Sequence, residues 1–285
     1  MKNLPVTLSR EDALSLAQAF EHLENPSFAA RLSHIVGTPI EMGLKLLPKT
    51  WYAKLHRGTE SAIWKALDMA VHSLQSKRGK PRNVSYKLAG AASGAVSGFF
   101  GAPALLLELP FSTTVMLRAI ADIAQGEGED LNELETRLAC LEVFALGGRS
   151  NADDVADIGY YGIRLALQAP VANASRFLVQ GGVARGPGSP LLVDFIAAVS
   201  KRFGVTFTEK AVAEAIPLIG ALGGAFVNAV FIQHFQDMAR GHFTVRRLER
   251  KYGPTLVRRE YGRLNRTQLP HQRRRTRQSL APAAA

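Results

Sequence analysis

Leu88–Asp130 reads LAGAASGAVSGFFGAPALLLELPFSTTVMLRAIADIAQGEGED. Its first twenty residues, Leu88 to Leu107, carry no charge, and Gly90, Gly94 and Gly98 recur at every fourth position, which sets them on one face of a helix. A face without side chains lets another backbone come close. The same spacing returns in Ala215–Gln233, AIPLIGALGGAFVNAVFIQ, where nineteen uncharged residues contain Gly220, Gly224 and Asn228. The two tracts are expected to pack against each other at the centre of an all-α, compact multi-helix bundle.

Outward from these tracts the helix signals continue. Ser9 with Asp12 resembles a capping box, and Ala13, Leu16, Ala17 and Phe20 predict a helix over about 10–23. Asn25-Pro26-Ser27 closes it, and a second helix over about 27–36 leads into GTPIEMGLKLLPKTWYAKL. There Met42, Leu46 and Leu47 are edged by Lys45, Lys49, Trp51, Tyr52 and Lys54, the pattern of an interfacial segment or of a half-buried surface helix, the second being the commoner. Residues 59–76 place Ala62, Ile63, Ala66, Leu67, Ala70, Val71 and Leu74 on one helical face. Pro110 either kinks its helix or sits in the first turn.

Downstream, 132–146 predicts a helix ended by Gly147-Gly148, and Asn151 with Asp154 opens another that stops at Ala169-Pro170. Ser189-Pro190 starts a helix through Arg202, and Thr208 caps the next. GVTFT (204–208) alternates, but five residues without a neighbour make no sheet. After about Tyr252 the apolar period is lost in polar, basic and Ala/Pro sequence, which predicts a disordered basic tail. The organisation expected is therefore an N-terminal helical extension (1–54), a helical domain (55–253) and the tail (254–285).

The chain of 285 residues carries a net charge of +11, the first mark of a nucleic-acid binder until the charge is localised. Arg246 to Arg277 holds twelve Lys or Arg against two Glu, so the body is close to neutral. The single cysteine, Cys140, excludes an intramolecular disulfide framework and a multi-Cys metal site, and its leucine-rich surroundings predict a buried inert thiol. The N-terminus lacks an apolar signal region, which predicts a cytoplasmic protein. Both glycine tracts reach the roughly 18 to 20 residues that cross a bilayer core. Gly, Ala and Ser drive insertion weakly, however, and Glu108 and His234 stand at the tract ends, so a buried core in a peripheral protein ranks above integral insertion.

GAPALLLELPFSTTVMLRAIADIAQGEGEDL together with IPLIGALGGAFVNAVFIQHFQDMARGHFTVRRLERKYG resembles the EcsC family, bacterial proteins named for a product encoded beside the Ecs ABC transporter. The resemblance spans about Leu55 to Gly253 and implies a mostly helical, cytoplasmic or membrane-associated protein, possible links to transport or envelope processes included. It implies no reaction.

Two sets of residues remain as candidate sites. Glu108, Arg118 and Asp122 in the first motif, with Asn228, His234 and Asp237 in the second, could ligate a metal or act as acid and base if packed helices brought them together. A structural polar cluster is the stronger reading, since HxxD falls short of the ExxH of helical di-iron proteins and neither HExxH nor GxSxG occurs. No cofactor, confident metal site or small-molecule substrate follows. The second set, Arg246, Arg247, Arg250, Lys251, Arg258, Arg259, Arg273, Arg274 and Arg275, suits anionic lipid. Nucleic acid ranks lower because Tyr252 and Tyr261 are the only aromatics in that region. The expected function is a peripheral binding or accessory protein at the inner membrane, with a membrane protein as a further partner; the alternative is a metal-dependent or hydrolytic helical enzyme.

Overall fold

The computed structural model describes residues 7–24, 28, 31–33, 48–74, 102–148, 159–182, 189–214 and 220–279. Eight helices among them have defined bounds: α1 Arg10–Glu24, α2 Lys49–His72, α3 Ala102–Gly126, α4 Leu134–Leu146, α5 Tyr160–Val179, α6 Pro190–Glu214, α7 Gly220–Tyr252 and α8 Pro254–Ser279. No strand occurs among the described residues. The all-α bundle is as the periodicity predicts.

The bundle is built around α7, which packs on α1, α3, α4, α6 and α8. Val227, Phe231, Phe235, Met238 and Ala239 keep its buried face apolar at three- and four-residue steps. Phe203 and Phe207 of α6 meet this face, the Phe203 and Phe235 rings lying 5.5 Å apart, while Phe144 of α4 closes on Phe203 at 5.0 Å. Each buried ring removes enough apolar surface to contribute on the order of 2–3 kcal/mol. These aromatics, together with the aliphatic side chains of α2 and α3, make one continuous core.

Residues 88–101 and 215–219 lie outside the described residues, so the expected contact between the glycine tracts falls largely there. The helices that continue from them, α3 and α7, do pack together. Also outside are residues 25–27 after α1, the capping pair Asn151 and Asp154, and all of 34–47.

Pro110 lies in the interior of α3, which leaves the first of its two expected placements. Three local expectations are corrected. Pro170 ends no helix: α5 runs through it, because Ile163, Leu167 and Ala174 stay in phase on both sides of the proline and bury against the core. Nor does the chain break before Thr208; α6 is continuous from Pro190 to Glu214, and the Thr208 hydroxyl donates to the Gly204 carbonyl within the helix. The third correction concerns the tail. Gly253 adopts φ +85°, turns the chain in the left-handed conformation that glycine tolerates, and Pro254 opens α8. Val257 and Tyr261 of α8 are buried, with the Tyr261 ring 5.0 Å from Phe20 of α1, so the start of the basic tract is part of the fold.

Candidate functional site

Of the six polar residues singled out in the two motifs, Glu108, His234 and Asp237 are held by separate partners. Glu108 of α3 accepts from Lys210 of α6 at 2.9 Å, both side chains being buried and the ammonium lying 5.3 Å from the Phe231 ring centre. His234 meets the Gly147 carbonyl through Nε2 at 2.9 Å, and the Thr206 hydroxyl donates to the same oxygen. Burial pushes the imidazole down to about 4, against the Gly147 hydrogen bond, so the ring is neutral near pH 7. Asp237 accepts from Arg31 and Arg240, each at 3.0 Å. Asn228 is buried in α7, Asp122 is half-buried on α3, and Arg118 is exposed.

Among the described residues no group of three or more His, Cys, Asp or Glu could hold a metal ion. Cys140 is fully buried, and desolvation pushes its thiol far up. The two glycines after α4 end that helix as expected. Gly147 has right-handed φ −70°; a Cβ there would stand 2.5 Å from the Phe235 ring, and one on Gly148 would overlap the Arg202 carbonyl. Close approach, not turn conformation, requires this pair.

The basic residues divide at Gly253. Before it, Arg246 forks onto Glu129 with 2.9 and 3.2 Å bonds, and Arg250 bonds the same carboxylate. Arg247 reaches Glu127 at 2.7 Å and Asp12 at 3.3 Å, and Lys251 reaches Asp12 at 2.7 Å. Ser9 and Asp12 do begin α1, with the Asp12 amide donating to the Ser9 hydroxyl. The Asp12 carboxylate turns to α7 instead of back to the Ser9 amide, and bonds from Lys251 and Tyr252 hold it well below the usual range. Burial pushes Glu129 up, but Arg246 and Arg250 outweigh it and leave the carboxyl below its ordinary value. Arg246, Arg247, Arg250 and Lys251 are thus internal ion-pair partners. Beyond Gly253, Arg258 and Arg259 are exposed.

A groove of about 1050 Å³ opens between α4, α5, α7 and α8. Arg164 of α5 bonds both oxygens of Glu249 at 2.9 and 3.0 Å, and the Tyr161 hydroxyl donates to that carboxylate at 3.0 Å. Arg164 and Arg258 both lie over the Tyr161 ring, at 5.6 and 5.5 Å. Half-buried Glu142 lines the same groove, and desolvation pushes its carboxyl up to about 7 even with Arg246 and Arg164 nearby. A carboxyl that exchanges its proton near neutrality, facing guanidiniums in a concave site, suits ligand binding. Glu142, Tyr161, Arg164 and Glu249 were not among the residues the sequence marked. Glu142 did leave one signal, as the single acid within the apolar run LACLEVFAL.

The model of the EcsC protein family matches residues 53–248, more than half of the chain. The chain belongs to the EcsC family. Searches of curated proteins and of solved structures found no match. In this EcsC protein the matched span holds both polar motifs and three walls of the groove, while α1 and α8 lie outside it. Among the described residues no helix is long and apolar enough to cross a membrane.

Proposed function

We propose that this EcsC family protein is a peripheral binding or accessory factor that attaches to an anionic membrane surface on the cytoplasmic side of the inner membrane. The observation that carries the reading is the two-sided nature of α8. Val257 and Tyr261 bury one face against the bundle, while Arg258, Arg259, Arg263 and Arg266 stand exposed. Arg259 and Arg263 are 53% and 61% exposed and share one acid, Glu260, so the face keeps an excess of positive charge. Arg273, Arg274 and Arg275 follow in the same helix. Each base near an anionic bilayer contributes about 1 kcal/mol, and salt screens the attraction. This keeps Arg258 and Arg259 as lipid contacts and removes the four bases of α7, whose charges are already paired.

Co-sedimentation of the full chain with anionic vesicles, at low and high salt, tests the reading. Reversing Arg263, Arg266, Arg273 and Arg274 to Glu is expected to lower vesicle binding at least about a hundredfold, from the loss of several ~1 kcal/mol contacts. Binding unchanged by the reversal, or unchanged by salt, overturns it.

A further inference from the structure

The groove between α4, α5, α7 and α8 is charged unevenly. Toward α4 and α7 it is lined by Glu135, Glu142 and Glu249 against Arg164 and Arg246, one acid in excess. Toward α8 and the second half of α5 it presents Arg176, Arg258 and Arg259, with no acid among the lining residues.

Pairing sharpens this asymmetry. Arg164 bonds both oxygens of Glu249 through Nη1, and Arg246 forks onto Glu129 through Nε and Nη2, so the bonds of both guanidiniums near Glu142 go to other carboxylates. Among the described residues Glu142 has neither a hydrogen bond nor an ion pair. Arg258 likewise has no carboxylate partner, its only contact of this kind being the face of Tyr161. The same ring carries Arg164, and Arg164, Arg258 and Glu142 all line the one groove.

An acid and a base without counter-ions, in one cavity but on opposite sides of it, are complementary to a ligand that carries both charges. We infer that the groove binds a small zwitterion, an ammonium joined by a short linker to a phosphate, with the ammonium at Glu142 and the phosphate at Arg258 and Arg176. A simple anion satisfies the arginine side and leaves Glu142 bare; a simple amine does the reverse. Leu165, Val171 and Pro254 supply apolar surface in the same groove, which suits methylenes between or beyond the charged ends. An ammonium at Glu142 also favours the ionised carboxylate that burial otherwise disfavours. The inference does not rest on membrane attachment, since a water-soluble amino-phosphate has the required chemistry. A lipid headgroup of the same type has it too.

Titration calorimetry of the full chain with O-phosphoethanolamine, with ethanolamine and glycerol phosphate as the two half-ligands, tests the inference. It is paired with sedimentation on phosphatidylcholine vesicles with and without phosphatidylethanolamine, which are neutral overall and so give α8 little to attract it. The zwitterion is expected to bind about tenfold tighter than either half-ligand, the worth of one charge-assisted contact. Glu142→Gln brings its affinity down to that of glycerol phosphate, and Arg258→Glu removes both.

Soluble binding assigns a free amino-phosphate. Binding seen only on phosphatidylethanolamine vesicles and lost in Glu142→Gln assigns the lipid headgroup. Absence of both, or zwitterion binding that neither substitution alters, overturns the inference. Arg258→Glu changes an exposed residue and remains informative if Glu142→Gln unfolds the protein. Attachment to anionic vesicles through α8 is insensitive to Glu142→Gln, so the two proposals fail separately.

Discussion

Along α7 the first half lies among rings and the second among ions. Around Phe231 and Phe235 buried polar groups meet across helices, Lys210 with Glu108 and His234 with Gly147. Around Arg246 to Lys251 the charges are shared, with two arginines on Glu129 and both Arg247 and Lys251 on Asp12. Removing one partner in the first half takes a charge or an acceptor away from a buried group, whereas in the second half another base stays on the same carboxylate. The same kinds of side chain should therefore differ in worth by several kcal/mol within one helix's neighbourhood.

Lys210→Ala is the strongest test. It leaves Glu108 buried without its ammonium and is expected to cost about 3–5 kcal/mol in urea denaturation, while Lys210→Met with Glu108→Gln recovers much of the loss. His234 comes next. Its folded value, about 4, lies below the ordinary 6.5, so its contribution is fully present above pH 6.5 and is lost as pH falls toward 4. The full contribution is at most about 3 kcal/mol. Glu142, raised to about 7, acts in the opposite direction over pH 4.5 to 7, so the His234 term is isolated by comparing wild type with His234→Gln at pH 7 and pH 4.5.

Gly148→Ala forces a methyl against the Arg202 backbone and is expected to lower stability by about 1–3 kcal/mol, read as a drop in melting temperature. The smallest effect belongs to Arg250→Ala. Arg250 is 44% exposed and Arg246 remains on Glu129, so the loss is below about 1 kcal/mol and shrinks with salt. An Arg250→Ala cost equal to that of Lys210→Ala would abolish the contrast.

What the sequence made legible follows from range. The face of α2 is written in residues three and four apart, and the start of α1 in Ser9 and Asp12, so both could be read locally. The stops at Pro170 and after Arg202 follow local rules that ignore the stripes crossing them: Ile163, Leu167 and Ala174 span Pro170, and Leu192, Phe195, Ile196, Val199, Phe203 and Phe207 hold one phase past Arg202. In α8 the composition of arginine and polar residues concealed Val257, Tyr261 and Leu264, which repeat at helical spacing and pack on the core. The candidate site was harder still. Lys210 gives no local sign of burial, since its acid is 102 positions away, and the groove draws its charged groups from four helices. The basic run was legible as charge but not as two populations, because Asp12, Glu127 and Glu129 are distant in sequence from the bases they meet.

Glu24 has a consequence for where this molecule can be cut. From the end of α1 its carboxylate accepts the Tyr160 amide that opens α5 and the Tyr261 hydroxyl of α8, while Phe20 and Leu23 of the same helix are buried. A fragment trimmed to residues 53–248 would therefore lose the carboxylate that caps the start of α5 and bare an oily strip along α7. A piece meant to keep this packing has to extend past both borders of the family match.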